Sequence, residues 1–187
     1  MGRLTVTELP LAGLRLVTRT RLGDARGFLS RVFCAEELAQ AGWVKPIAQI
    51  NHTNTAAAGT VRGMHFQIPP HAEMKLVTCL QGEVWDVAVD LRAGSPTFLH
   101  WHAEMLSRDN GNAFLIPEGF AHGFQAMTDR CDLLYLHSAA HAASAESAVR
   151  FDDPRLRIAW PRPVTEVSAR DRNHPLLPVE FTGIRIS

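Results

Sequence analysis

From about Ala48 to Tyr135 the chain is built of short apolar runs cut by Gly, Pro, Asn and Asp at intervals of roughly ten residues, too brief for amphipathic helices. That rhythm specifies an all-β sandwich or barrel. Strands are expected at Ala48–Asn51, Lys75–Leu80, Glu83–Leu91, Phe98–Leu106, Ala113–Ile116, His122–Ala126 and Leu133–His137. Side chains alternate along a strand, so Trp85, Val87, Val89 and Leu91 fall on one face and Asp86, Ala88 and Asp90 on the other. A short helix is expected at Glu36–Ala41, ended by Gly42. The Ala- and Ser-rich stretch Ser138–Ser147 is expected as a loop or short helix, and the proline-rich Asp152–Pro178 as an ordered wrap rather than a second domain. With 187 residues, 46% of them hydrophobic and 20% charged, the chain can bury one core, and a single domain is expected.

Charge narrows the choice of partners. Nineteen Lys and Arg balance nineteen Asp and Glu, so no broad positive field draws nucleic acid or an anionic membrane, and neither is expected as a partner. Cys34, Cys79 and Cys131 are odd in number and far apart, which suits reduced packing thiols rather than a disulfide framework or a zinc knuckle. No window reaches the ~20 apolar residues of a membrane span, and no apolar stretch follows Met1-Gly2-Arg3-Leu4, so a cytoplasmic protein is expected.

The segment from Gly111 to His122 has a glycine, five residues, Pro117-Glu118-Gly119, two residues and then a histidine. It resembles the second motif of the cupin superfamily, which implies a double-stranded β-helix, or jelly roll, with a few short flanking helices and a ligand site in the barrel mouth. Metal-binding cupins use a His-x-His pair and a carboxylate before that last histidine. Here the pair reads His65-Phe66-Gln67, and Glu73 lies beyond Pro69-Pro70, so only His65 and His122 are in register. Two ligands fall short of a catalytic transition-metal site, and no metal is expected. A pocket holding His65, Arg62, Lys75 and Tyr135 instead offers a base near neutral pH, two cations and a phenol, a set suited to proton abstraction beside a carbonyl.

From about Asp24 to Leu177 the chain resembles the dTDP-4-dehydrorhamnose 3,5-epimerases and their relatives. The resemblance rests on ordered motifs: Asp24-x-Arg26-Gly27-x-Leu29, Gln49-Ile50-Asn51, Val61-Arg62-Gly63-Met64-His65-Phe66-Gln67, Lys75-Leu76-Val77, Asp86-Val87-Ala88-Val89-Asp90, Ser95-Pro96-Thr97-Phe98, Ile116-Pro117-x-Gly119-Phe120, Asp152-Asp153-Pro154 and Ser168-x-Arg170-Asp171. It implies a homodimer that acts on a sugar nucleotide without a cofactor, with N-terminal strands in 1–47 exchanged between subunits and a C-terminal wrap over 138–187. It implies that His65 removes the proton beside the C4 ketone, that Asp171 orients His65, that Lys75 holds the enolate oxygen, and that Tyr135 returns a proton from the opposite face. Arg62, Gln49, Asn51, His122, Glu146 and Arg170 are implied as substrate contacts, with Arg26 reaching the diphosphate of a neighbouring subunit.

The chain departs from the family pattern at three positions. Leu22 stands where an aromatic residue is usual, Arg31 where a glutamate is usual, and His141 where a second tyrosine is usual. The first two bear on the nucleotide base and the third on the sugar. Inversion of C3, of C5 or of both, on thymidine, cytidine or guanosine nucleotides, therefore stays open here, beside a cupin that only binds its sugar nucleotide.

Overall fold

A computed structural model of the protein describes residues 2–186. The first four strands are β1 (Leu4–Glu8), β2 (Arg15–Arg19), β3 (Arg21–Asp24) and β4 (Gly27–Ser30), followed by helix α1 (Ala35–Ala39). The barrel strands follow: β5 (Gln49–Thr55), β6 (Val61–Gln67), β7 (Lys75–Gln81), β8 (Glu83–Asp90), β9 (Trp101–Ser107), β10 (Asn112–Ile116), β11 (Phe120–Ala126) and β12 (Cys131–His137). A short β13 (Glu146–Ala148) and helix α2 (Ala169–Asn173) complete the chain.

The strands form two antiparallel sheets, ordered β1-β2-β10-β7-β12-β5 and β13-β6-β11-β8-β9, with β3–β4 as a separate hairpin. This is the expected all-β jelly roll. Val77, Phe114 and Leu133 of the first sheet meet Val84, Leu106 and Phe124 of the second in the space between them. Both outer faces are also covered. Val87, Val89 and Leu91 pack under Leu156, Trp160, Phe181 and Ile184 of the C-terminal segment. Leu38 of α1 and Trp43 close over Leu76, Leu115 and Leu136. Each such side chain taken from water contributes about 1.5–3 kcal/mol.

Glutamates 36 and 37 sit in the first turn of α1, where negative charge offsets the exposed N–H groups. Glu37 also accepts the backbone N–H groups of Arg3 at 2.7 Å and Leu4 at 2.9 Å and pairs with Arg31. Led by the Leu4 bond, these partners hold its carboxyl down to about 2. Arg31 is thereby committed to tying the N-terminal strand to the helix.

Several boundaries differ from expectation. Helix α1 is one turn, Ala35–Ala39, because Trp43 turns back to bond the Leu38 carbonyl and Gly42 takes φ +96. Strand β9 starts at Trp101 rather than Phe98, since Leu99 has φ +62 in a turn tied to Asp90. Strand β5 runs on to Thr55, its length set by seven pairs with β12. The stretch Ser138–Ser147 holds no helix; it is a loop entering β13, which pairs with β6. Strands β1 and β2 join the chain's own six-stranded sheet through β10, which leaves β3–β4 as the N-terminal element outside both sheets.

Candidate active site

Strands β6 and β11 come unusually close at Gly63 and Gly123. A Cβ on Gly63, which has φ +127, would lie 2.5 Å from the Gly123 Cα, and one on Gly123 would lie 2.6 Å from the Arg62 carbonyl oxygen. Only glycine fits there. The register shifts just beyond the pair His122↔His65, so the two imidazoles stand side by side on the inner face. They line a cavity of about 620 Å³ between the sheets, which also takes in Lys75 of β7 and Tyr135 and His137 of β12.

The Nε2 atom of His65 is 2.7 Å from Oδ1 of Asp171, while Oδ2 accepts the Gly63 N–H at 3.2 Å. Asp171 belongs to α2, whose Ser168 side chain caps its backbone N–H at 3.0 Å. Burial pushes the Asp171 carboxyl up, but His65, Gly63 and Ser168 together outweigh it and hold it below the ordinary range. An ionised carboxylate can only accept, so Nε2 carries the proton and Nδ1 keeps its lone pair. A lone pair so placed can act as a base.

Tyr135 lies on the opposite wall, in the other sheet. Its ring meets His122 edge-on, with centroids 5.8 Å apart, and stacks on His137 at 6.1 Å and 12°. Burial, with the nearby Asp86 charge, pushes the phenol well above its usual value, so it stays protonated and can give a proton. Between the walls, the Lys75 ammonium donates to the His65 carbonyl at 3.1 Å and pairs with Glu73 at 3.1 Å. Its side chain is 7% exposed, so its charge acts through little water.

His122 and Asp86 form a second pair at 2.7 Å, both buried. Burial pushes the Asp86 carboxyl up and the His122 imidazole down, while the bond between them draws each back. Asp86 faces inward behind His122, as strand alternation implies. At the rim, Arg170 binds Glu146 at 2.5 Å and His141 reaches the same carboxylate at 3.3 Å. Arg62 is anchored through Nε to Thr55 at 3.0 Å, and Gln49 and Asn51 bond each other at 3.0 Å.

Every candidate site residue except Arg26 therefore lines this one cavity. Arg26 is paired with Asp24 at 2.6 Å on the β3–β4 turn, 89% exposed, in a shallow depression shared with Leu22 and Phe28. Sequence reasoning passed over Glu73 and His137, which also line the cavity. His137 stands two residues from Tyr135 on β12, where alternation would have placed it inward, whereas Glu73 precedes β7 and carries no such signal.

A base and an acid on facing walls with a cation between them can take a proton from a carbon beside a carbonyl, hold the enolate and return a proton from the other side. Comparison with known proteins agrees with that chemistry. The family model described as dTDP-4-dehydrorhamnose 3,5-epimerase matches residues 8–178. The protein of that name from Sinorhizobium fredii is 38% identical, over 96% of this chain and 94% of its own. A dTDP-4-dehydrorhamnose 3-epimerase from Streptomyces niveus is 36% identical over 93% of this chain and 84% of its own. The solved 3,5-epimerase of Legionella pneumophila, in complex with dTDP-4-keto-L-rhamnose, superposes with a TM-score of 0.91 at 32% identity, over 98% of this chain and 99% of that one.

Proposed function

The chain belongs to the dTDP-4-dehydrorhamnose 3,5-epimerase family, and from that membership we propose that it inverts C3 and C5 of a thymidine-diphosphate-linked 4-keto-6-deoxyhexose. It is an isomerase. His65 Nδ1 removes the proton from the carbon beside the ketone, and its imidazolium is stabilised by Asp171. The electron pair moves onto the C4 oxygen, where the Lys75 ammonium meets it, and Tyr135 delivers a proton to the face away from His65. Each inversion leaves His65 protonated and Tyr135 ionised, and proton exchange with solvent restores both before the second carbon is inverted. General base and acid catalysis contributes typically about 10²–10⁴-fold, and removing one preorganised oxyanion donor costs about 3–4 kcal/mol.

The observation that carries this reading is the placement of His65 and Tyr135 on opposite sheets of one cavity. Deuterium wash-in from heavy water at C3 and C5 of the keto-sugar nucleotide tests it. Loss of that exchange in His65→Ala supports the assignment, and exchange at the wild-type rate in that variant overturns it.

A second reading, inversion at C3 alone, is favoured by His141. A rim imidazole drawn toward Glu146 stands where the family usually places a tyrosine, and the Streptomyces niveus relative is named a 3-epimerase. Wash-in at one carbon only would select it.

The hairpin β3–β4 shows Leu22, Phe28 and Leu29 to solvent at 45%, 50% and 67%, apart from both sheets. These apolar side chains and the outlying Arg26 support a homodimer in which the hairpin packs on a second copy and brings Arg26 to its diphosphate. Among the described residues no helix is long and apolar enough to cross a membrane, and the reading places the enzyme in the cytoplasm.

A further inference from the structure

The mechanism leaves His137 idle, although it lines the cavity beside Tyr135 with its side chain only 11% exposed. Its Nδ1 lies 3.1 Å from Oε2 of Glu73, and its Nε2 lies 3.4 Å from the amide nitrogen of Asn51. The proton positions in this chain of contacts follow from one fixed donor. The backbone N–H of His141 donates to Oε1 of Gln49 at 2.9 Å, so the other end of that amide is its NH₂ group. That group donates to Oδ1 of Asn51 at 3.0 Å, which turns the Asn51 NH₂ toward His137. His137 Nε2 must then accept, and its proton sits on Nδ1, where it is donated to Glu73.

A second backbone donor controls the other approach to Glu73. The N–H of Ala142 donates to Oε1 of Gln67 at 2.6 Å, so the Gln67 NH₂ faces Oε2 of Glu73 at 3.2 Å. Glu73 thus receives Gln67, His137 and the Lys75 ammonium, three donors on one largely enclosed carboxylate. Burial pushes its carboxyl up, but His137 and Lys75 outweigh that and hold it below the ordinary range. Lys75 in turn has two anchors, Glu73 and the His65 carbonyl, which aim its ammonium into the cavity.

We infer that His137 is a positioning residue: as a neutral imidazole protonated on Nδ1 it holds the Glu73 carboxylate that fixes Lys75, and the rim loop at His141 and Ala142 dictates this state through Gln49, Asn51 and Gln67. The inference rests on the proposed role of Lys75 at the ketone oxygen. The other charged or titratable groups lining the same cavity are His65 and Arg62 of β6, His122 of β11, Tyr135 of β12, Glu146 of β13, Arg170 and Asp171 of α2, and His141 and Glu166 of the loops, with Asp86 of β8 behind His122. None of these bonds Glu73 or His137.

Imidazole ¹⁵N shifts of the ligand-free protein read the tautomer directly. A protonated Nδ1 and a bare Nε2 at His137 near neutral pH are expected; a bare Nδ1 overturns the inference. In Gln49→Glu the side chain can no longer donate to Asn51, so the Asn51 amide turns over and Nε2 of His137 becomes a donor; an unchanged ¹⁵N pattern overturns the relay. For turnover, His137→Leu should lower kcat on the order of 10–100-fold with KM within about threefold. His137→Asn, whose amide nitrogen replaces Nδ1, should recover most of the loss. Wild-type kcat in a folded His137→Leu, or equal loss in both variants, overturns the positioning role. If the wild-type protein shows no exchange with any keto-sugar nucleotide, the proposed reaction fails, while the ¹⁵N pattern still decides the relay.

Discussion

Nε2 of His65 lies 2.7 Å from a carboxylate oxygen of Asp171 although 106 positions separate them along the chain. The bond assigns the proton to Nε2 and leaves a lone pair on Nδ1, the base of the proposed reaction. Asp171→Asn keeps the shape, but with its oxygen held by the Gly63 N–H its NH₂ faces Nε2 of His65 and favours the opposite tautomer. Deuterium wash-in should fall on the order of 10²-fold or more, with the far-UV circular dichroism unchanged. Wild-type exchange in this variant would remove Asp171 from the mechanism.

The proposed reaction puts Tyr135 and His65 in different half-steps, so their losses should differ in kind. Tyr135→Phe retains the base and the enolate-binding ammonium but lacks the proton for the far face. Solvent deuterium should still enter the substrate with retained configuration, while inversion falls about 10²–10⁴-fold. Proton couplings of the product separate the two. Parallel loss of both signals would mean that Tyr135 serves binding rather than reprotonation.

Asp90 is fully buried, and its carboxylate binds Arg92 at 2.7 Å, Ser95 at 2.5 Å and Thr97 at 2.7 Å. Burial pushes its carboxyl up, but these donors outweigh it and hold it below the ordinary 3.8. Because the folded carboxyl is the more acidic, its contribution is full above the unfolded value and drains away as pH falls through the lower folded one. Asp171 and Glu73 act in the same direction. Asp90→Asn should cost about 1–3 kcal/mol at pH 7 and flatten the loss of stability below pH ~4. Urea midpoints measured from pH 7 to pH 2.5 check this, and parallel curves for the two proteins would count against it.

Gly63→Ala should be destabilising by roughly 2–5 kcal/mol, since the added Cβ meets the Gly123 backbone and the φ of +127 suits no other residue. The same change moves His65 relative to His122. Turnover should fall further than the fraction of folded protein does, as read by thermal melting beside the exchange assay. Activity that tracks the folded fraction would show that the close approach of β6 and β11 matters to stability alone.

Much of the fold was legible because its signals are local. The alternation in Glu83–Leu91 places Val87 and Val89 under the C-terminal segment and Ala88 in the core between the sheets. Turn glycines and prolines delimit most of the barrel strands. The strand expected from Phe98 begins three residues later, because the backbone bonds of Leu99 and His100 to Asp90 draw a turn out of an apolar run. The N-terminal strands carry weak periodicity and take their form from β10, almost a hundred positions on.

The sequence by itself determined the fold class and the membership of the family, since these depend on alternation and on motifs whose members lie within a few residues of one another. Only the tertiary structure decided the working state of the site. Which nitrogen of His65 and which of His137 bears the proton depend on Asp171, Glu73 and Asn51, each supplied by a different stretch of chain. Hydrogen bonds act over about 3 Å, and that proximity exists only once the two sheets have closed on each other.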